Sequence, residues 1–491
     1  MRLHSPVLKL AFLLLLVLPC TSLGQDLLPG ESWQRYADPS EAGFSKEGLE
    51  ELERYCESKD IDGLLVIHDG AVLMRHGDIE RRFMCHSVRK SFMSILYGIY
   101  LAEGSIDLDR TLAELGIDDI EPKLSDEEKR AKVKDLLSAR SGVYHPAAYE
   151  PESMKRNRPE RGSHAPGTYW WYNNWDFNAL LTIFERETER QFFEAFQERL
   201  ARPLQMQDFR LRDGYYHLEP EQSEHAAYPF RMSARDMARI GLLMLRSGRW
   251  GEHRIVPQNW AFESTRAQSD IEPWQGYRAY GYLWWISGEG RDLLYSALGT
   301  GNNSIDVMPG HKLVFVFRAN TFRGRTVAWR DRWKVIRGVV KARTGARSAD
   351  PKVVPLEDRS RAPKAVALSD AYLEQFPLEL PRALPEELPA AQGVPPVRIE
   401  RGAEGLVLFT QPPPAMQLDL IPLGEDRFFL EGAEEIGAID RDAEGRPVRF
   451  VLKVGLRARI IELRGAGRDE EAAAENGLYE KLFGAEAGAG K

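Results

Sequence analysis

The sequence predicts a mixed α/β fold with a second, smaller all-β domain, and three observations predict it. As far as residue 345, amphipathic helical runs alternate with short apolar runs of strand character. Over 346–366 the composition turns charged and proline-punctuated, as a linker does. Beyond it, short partly alternating runs separated by Gly, Asp and Pro read as a small antiparallel β domain over 367–470, followed by a tail, 471–491, with a helix and a frayed end. A chain of 491 residues is too long for one compact core. Its net charge of −8 is spread without long like-charge blocks, which argues against a nucleic-acid partner.

Residues 1–24 have the anatomy of a secretory signal: Arg2 and Lys9 are basic, Leu10 to Leu18 is apolar, and Ser22-Leu23-Gly24 is a small-residue cleavage site. The apolar run is short for a membrane span. The expectation is export, to a periplasm or the exterior, with a mature chain starting near Gln25. Cys20 offers a lipoprotein anchor as an alternative, against which Pro19 counts. Cleavage leaves Cys56 and Cys85, which can pair in an oxidising compartment but form no disulfide framework.

Taking the elements in order, Ser45 to Lys59 reads as an amphipathic helix. Gly63 to His68 and Ala71 to Met74 read as two strands turned at Asp69-Gly70. His86 to Gly104 reads as one buried helix, with Gly104 as its C-cap. Ser87 opens it, and Lys90, three residues on, shares its face. A serine hydroxyl is a weak nucleophile until a base takes its proton, and a buried lysine is one of few side chains whose pKa falls far enough to do so.

An acidic stretch of helical pattern runs to Ala139, and a Gly- and Pro-rich loop region occupies Ser141 to Gly167. A helix follows over Trp175 to Glu187. Ser233 caps another that runs to Arg246, and Pro257 starts a short third one. Tyr280 to Ile286 reads as a buried aromatic strand. Ser304 to Met308 and Leu313 to Phe317 read as strands before a closing helix over Val327 to Ala342. In the second domain the strands fall at Leu406 to Thr410, Gln417 to Pro422, Arg427 to Glu431, Ala438 to Arg441 and Val448 to Lys453.

Four pieces then stand in order: SVRKS with Ser87 and Lys90, PGTYWWYNNWDF with Tyr172 and Asn174, RMSARDMARIGLLML, and YGYLWW ahead of Ala297-Leu298-Gly299-Thr300-Gly301. Together they resemble the serine β-lactamase and penicillin-binding-protein superfamily, in particular class C-like enzymes, esterases and 6-aminohexanoate-dimer hydrolases. The resemblance implies an α/β/α sandwich with an antiparallel sheet and an all-helical subdomain over residues 25–345, and a lipocalin-like domain behind it. It implies that Ser87 forms an acyl-enzyme and that Lys90 and Tyr172 share general base and acid work, either of them serving as the base. Asn174 then hydrogen-bonds Lys90 or the substrate. The backbone N–H groups of Ser87 and Thr300, next to Gly299, form the oxyanion hole.

The third motif departs from the family. Lys-Thr-Gly is usual there, whereas Ala297 and Leu298 supply neither charge nor a hydrogen-bonding side chain. That counts against efficient β-lactam hydrolysis and suits a neutral or amine-bearing acyl group. Tyr169, Trp170, Trp171 and Trp175 are candidates for an apolar pocket wall. The expected partner is a small ester, amide or short peptide, with no cofactor, no metal and, after signal removal, no membrane span. His145 and His164 lack metal-ligand spacing. A catalytically silent binding or cell-envelope protein and a D-amino-acid peptidase are the competing readings.

Overall fold

The computed structural model describes residues 27–359, 367–375, 378–380, 382–383, 397–402, 405–410, 417–431, 435–453, 456, 460, 463 and 468–484. The expected signal segment, Cys20 and the last residues of the tail lie outside them. Among the described residues no helix is long and apolar enough to cross a membrane.

Residues 27–359 are organised by a ten-stranded sheet. Its order is Ser269–Trp274, Tyr277–Tyr280, Trp285–Ser287, Leu294–Gly299, Asn303–Met308, Leu313–Arg318, Gly63–His68, Ala71–Gly77, Gln34–Tyr36 and Val353–Pro355. All neighbours are antiparallel except the single pairing of Arg35 with Val72. The hairpin at Asp69-Gly70 forms as expected, its left-handed residues being Asp69 and Gly70 themselves.

Neighbouring side chains on the central strand Asn303–Met308 establish the layers. A Cβ at Gly241 of the helix Ala234–Leu245 would strike Ile305, whereas Asp306 receives Arg332 from the helix Trp329–Lys341. Adjacent residues of a strand face opposite ways, so the two helices cover opposite faces and the fold is an α/β/α sandwich. The Asp306–Arg332 pair is fully buried and doubly bonded, at 2.5 and 3.1 Å, with Ser296 and Ser304 also donating to the carboxylate.

The helix Val88–Ala102 is buried on all sides from Val88 to Tyr100. Gly98 permits one of its contacts: the Trp260 indole lies 1.9 Å from where a Cβ would sit, and its N–H donates to Ser94 O at 2.8 Å.

Three expectations need correcting. The acidic stretch before Ala139 forms mainly turns and short helical pieces, Glu128–Arg130 and Val133–Leu137. Its carboxylates bond nearby backbone N–H groups instead, Asp118 that of Leu124 and Asp119 that of Ile120, which competes with helix. The Tyr280 to Ile286 run is broken at Gly281 to Leu283, where Leu283 is left-handed and Gly281 N–H bonds Trp284 O. The proline-punctuated stretch 346–366 is more than a spacer, since Val353–Pro355 pairs with Gln34–Tyr36 at the sheet edge, where Pro355 needs no ladder donor. Cys56 and Cys85 are both buried and free.

The second sheet has eight strands: Leu378–Leu380, Val397–Gly402, Gly405–Thr410, Gln417–Gly424, Arg427–Leu430, Glu435–Arg441, Pro447–Leu452 and Arg382–Ala383. Val397–Gly402 and the two short strands before it were not evident in the sequence. This sheet encloses its own core around Ile399, Leu408, Phe428 and Phe450, and Tyr479 of the helix Asp469–Phe483 packs with Ala438 and Val451.

An arginine cluster joins the two parts. Arg82 donates to Asp419 at 2.7 Å and to Glu431 at 2.9 Å, and Arg210 and Arg212 also reach Asp419. Burial alone would raise the Asp419 pKa, but Arg212, Arg82 and Arg210 hold it below the ordinary aspartate value. Removing that carboxylate takes a shared counter-charge from three guanidinium groups at once. Asp419→Ala is therefore expected to lower stability by about 3 kcal/mol in urea denaturation. Glu444→Ala, at an exposed turn of the same sheet, should leave the midpoint in place; equal midpoints for both variants would mean that the cluster does not hold the two parts together.

Candidate active site

The strand Phe83–Met84, paired with Arg231–Met232, delivers the chain to a sharp corner at Cys85 and His86. His86 is left-handed, an unusual conformation for a residue with a side chain, and its ring meets Thr321 Oγ1 at 2.7 Å. Burial pushes its imidazole down to about 3, so the ring is neutral. Cys85 is anchored on the other side, its thiol donating to Phe230 O at 3.0 Å, with burial raising its pKa to about 11. The corner leaves Ser87 at the mouth of the helix, where its side chain makes no cap hydrogen bond. The hydroxyl is thus not used up as a helix cap.

One turn along, the Lys90 amine lies 2.9 Å from Ser87 Oγ, 2.7 Å from Tyr172 OH and 2.9 Å from Asn174 Oδ1. It also sits above the Tyr172 and Phe177 rings, at 4.4 and 4.3 Å from their centroids. Lys90 is 2% exposed. Burial first, and then the charge of neighbouring Arg89, drive its pKa well below the ordinary lysine value. A neutral amine has two donors and one lone pair. Asn174 Oδ1 can only accept, because the Nδ2 of that amide donates to Tyr149 O at 2.6 Å. The other donor can go to Tyr172, which leaves the lone pair for the Ser87 hydroxyl. Burial pushes Tyr172 up to about 12, against the opposing influence of Ser87 and Arg89, so its phenol keeps its proton at neutral pH.

Asn174 is held by the start of its own helix, Asn174–Thr188, where the Asn173 side chain accepts from Trp175 N–H. Gly299 closes the site from the sheet. A Cβ there would lie 2.5 Å from Cys85 O and 3.1 Å from Ser87 N, so only glycine lets this strand run against the Ser87 backbone. Ser87, Tyr172, Gly299 and Thr300 all line one cleft of about 660 Å³. All six residues singled out in the sequence therefore converge on one locus.

The aromatic wall differs from expectation. Trp170 and Trp171 line the cleft, but Trp175 is buried and donates to Asp119 at 2.6 Å, and Tyr169 faces out, stacked on His164. Trp285 and Trp274 complete the wall. Trp285 stood in the YGYLWW run; nothing in the sequence marked Trp274 or Glu272 as cleft residues. Arg89 was missed as well. It is buried against Tyr149 and Tyr228, with ring centroids at 5.5 and 5.0 Å.

The sequence model of a family described as Beta-lactamase matches residues 54–337, more than half of the chain. No curated protein matches it. Among solved structures, SurE is 19% identical with a TM-score of 0.47, the match covering 84% of this chain and 96% of that one. A putative 6-aminohexanoate-dimer hydrolase from Bacillus anthracis is 19% identical, TM-score 0.47, over 63% and 89% of the two chains. A class C beta-lactamase is 15% identical, TM-score 0.45, over 61% and 96%.

Gly299→Ala tests the close approach. The added methyl has backbone on two sides, so a loss of about 1–3 kcal/mol is expected from thermal or urea unfolding. A variant as stable as the parent would mean that the strand does not run against the Ser87 backbone.

Proposed function

Since the chain belongs to the beta-lactamase family, whose members are serine hydrolases, we propose that it is an exported hydrolase that cleaves an ester or amide bond through an acyl-enzyme on Ser87. The observation that carries this reading is the Lys90 amine, buried and within hydrogen-bond reach of Ser87, Tyr172 and Asn174 at once. A binding protein has no use for a nucleophile beside a neutral base.

Ser87 Oγ attacks the substrate carbonyl carbon while its proton passes to Lys90 Nζ. The oxyanion forms against the backbone N–H groups of Ser87 and Thr300, at the start of the buried helix and beside Gly299. Tyr172, still protonated, gives its proton to the departing alkoxide or amine and regains one from Lys90 as the C–O or C–N bond breaks. Water then attacks the acyl-enzyme through the same relay in reverse. Burial favours the protonated phenol of Tyr172 and the free amine of Lys90, so Tyr172 is the one with a proton to give and Lys90 the one with a lone pair to take it. Ala297 and Leu298 offer no partner for a substrate carboxylate, so esters and neutral amides fit better than β-lactams.

Intact mass of the mature protein after a fluorophosphonate, wild type beside Ser87→Ala, tests nucleophile and export together. The expected result is a chain beginning near Gln25 with one adduct on the wild type and none on the variant. Two folded proteins without adducts would defeat the hydrolase reading, and a retained N-terminus would defeat export.

The pH dependence has a definite sign. Lys90 works as the free amine, so kcat/KM should hold through neutral pH and fall on the acid side as the amine takes a proton. Between its folded and unfolded pKa values the unfolded chain binds one more proton, so the Lys90 contribution to stability rises with pH up to the unfolded value. Lys90→Met should therefore lose turnover by about a thousandfold or more, yet melt no lower than wild type at pH 7 and with a shallower pH slope. A variant that is inactive because it melts far lower would refute the neutral-amine assignment.

A further inference from the structure

Beyond the nucleophile the cleft is built in an uneven way. Its wall is aromatic and contiguous: Tyr172 at the nucleophile meets Trp285 at 5.3 Å between centroids, and Trp285 meets Trp170 at 5.9 Å and Trp274 at 4.9 Å. Trp274, at the outer end, is 44% exposed, which is unusual for a tryptophan that serves only to pack. Two residues before it on the same edge strand, Glu272 also lines the cleft. Among the described lining residues it is the one carboxylate, and there is no lysine, arginine or histidine.

We propose that this cleft selects esters or amides that carry an ammonium group, taken up by the indole faces of Trp170, Trp274 and Trp285 with Glu272 as its counter-charge. The inference rests on the serine-hydrolase reading and names the substrate class for it. Tryptophan faces are the best aromatic partners for a cation, and an adjacent carboxylate turns an apolar wall into one that prefers positive charge. A neutral alkyl group would use the same wall without answering Glu272. An anionic one would meet repulsion from Glu272 and, at Ala297 and Leu298, no cation to offset it.

Two matched ester pairs test this with the full-length mature protein, one for each side of the scissile bond. Butyrylcholine is compared with 3,3-dimethylbutyl butyrate, and p-nitrophenyl 4-(trimethylammonio)butanoate with p-nitrophenyl 5,5-dimethylhexanoate. In at least one pair the cationic ester should be favoured about tenfold in kcat/KM. Glu272→Gln and Trp274→Ala should each bring that ratio towards one. Equal rates within both pairs, or ratios that survive both variants, overturn the proposal while leaving the hydrolase reading intact. Benzyltrimethylammonium titrated into Ser87→Ala and read by tryptophan fluorescence keeps the two readings apart, since it needs no turnover. Saturable quenching that weakens with Glu272→Gln supports the cation site even if no ester is hydrolysed and no fluorophosphonate adduct forms, in which case it is the hydrolase reading that has failed. Absence of saturable quenching counts against the cation site.

Discussion

The burial of one amine is the constraint on which the rest depends. A lysine at 2% exposure with no carboxylate among its hydrogen-bond partners, which are a hydroxyl, a phenol and an amide, has its charged form disfavoured. Burial therefore shifts Lys90 in the direction that a general base requires. Each neighbouring feature protects that condition. The helix around it is buried on all sides, Phe177 and Tyr172 cover the amine, and Arg89 adds positive charge close by without competing for the same acceptors. Burial lowers the proton affinity of the amine and in exchange leaves its lone pair available to the Ser87 hydroxyl.

Precision comes from the surrounding scaffold. Ser91, one residue past the base, donates to Leu283 O at 2.6 Å, at the bend that interrupts the aromatic run. Leu283 N–H in turn bonds Leu137 O. The bend that sequence periodicity missed is thus the point where the helix Val88–Ala102, the helical region and the sheet are tied together. Gly299 and the left-handed His86 work in the same sense from the other side. Gly299 is extended and is required for space alone, whereas the left-handed His86 is a costly conformation that survives because packing around the corner leaves no alternative.

Much of this was legible in residue order because it is local. The Ser87–Lys90 spacing needs only a helix, and the Asp-Gly hairpin and the Ser233 cap are set within a few residues of chain. Tyr172 and Asn174 were legible through the resemblance, since their distance from Lys90 spans more than eighty residues of sequence that no local rule bridges. What stayed hidden was decided by tertiary pairing. Val353–Pro355 is a strand because Gln34–Tyr36 offers an open edge, and its prolines read as a linker in isolation. Trp175 looked like a pocket residue among its aromatic neighbours, yet Asp119, distant in sequence, claims its indole. Trp274 and Glu272 could not be assigned to the cleft until the edge strand carrying them was placed.

The arginine cluster gives the second sheet a place in the same argument. Arg82 lies five residues before Ser87 and immediately precedes the strand Phe83–Met84 that feeds the corner. Its guanidinium group is shared by Asp213 of the helical region and by Asp419 and Glu431 of the second sheet. The partner strand, Arg231–Met232, is bound in the same way, with Arg231 donating to Asp213 and to Glu431 O. Asp213 is thus shared by an arginine at each strand of the pair that leads to Ser87, and Glu431 meets both, Arg82 through its carboxylate and Arg231 through its backbone carbonyl. Charges in such a cluster are partly desolvated, so their separation would be expensive, and the second sheet acts as a clamp on the approach to Ser87. The corner at Ser87 is thereby tied to the second sheet, which is a physical reason for the first part of the chain to keep a β sheet that lies outside the cleft.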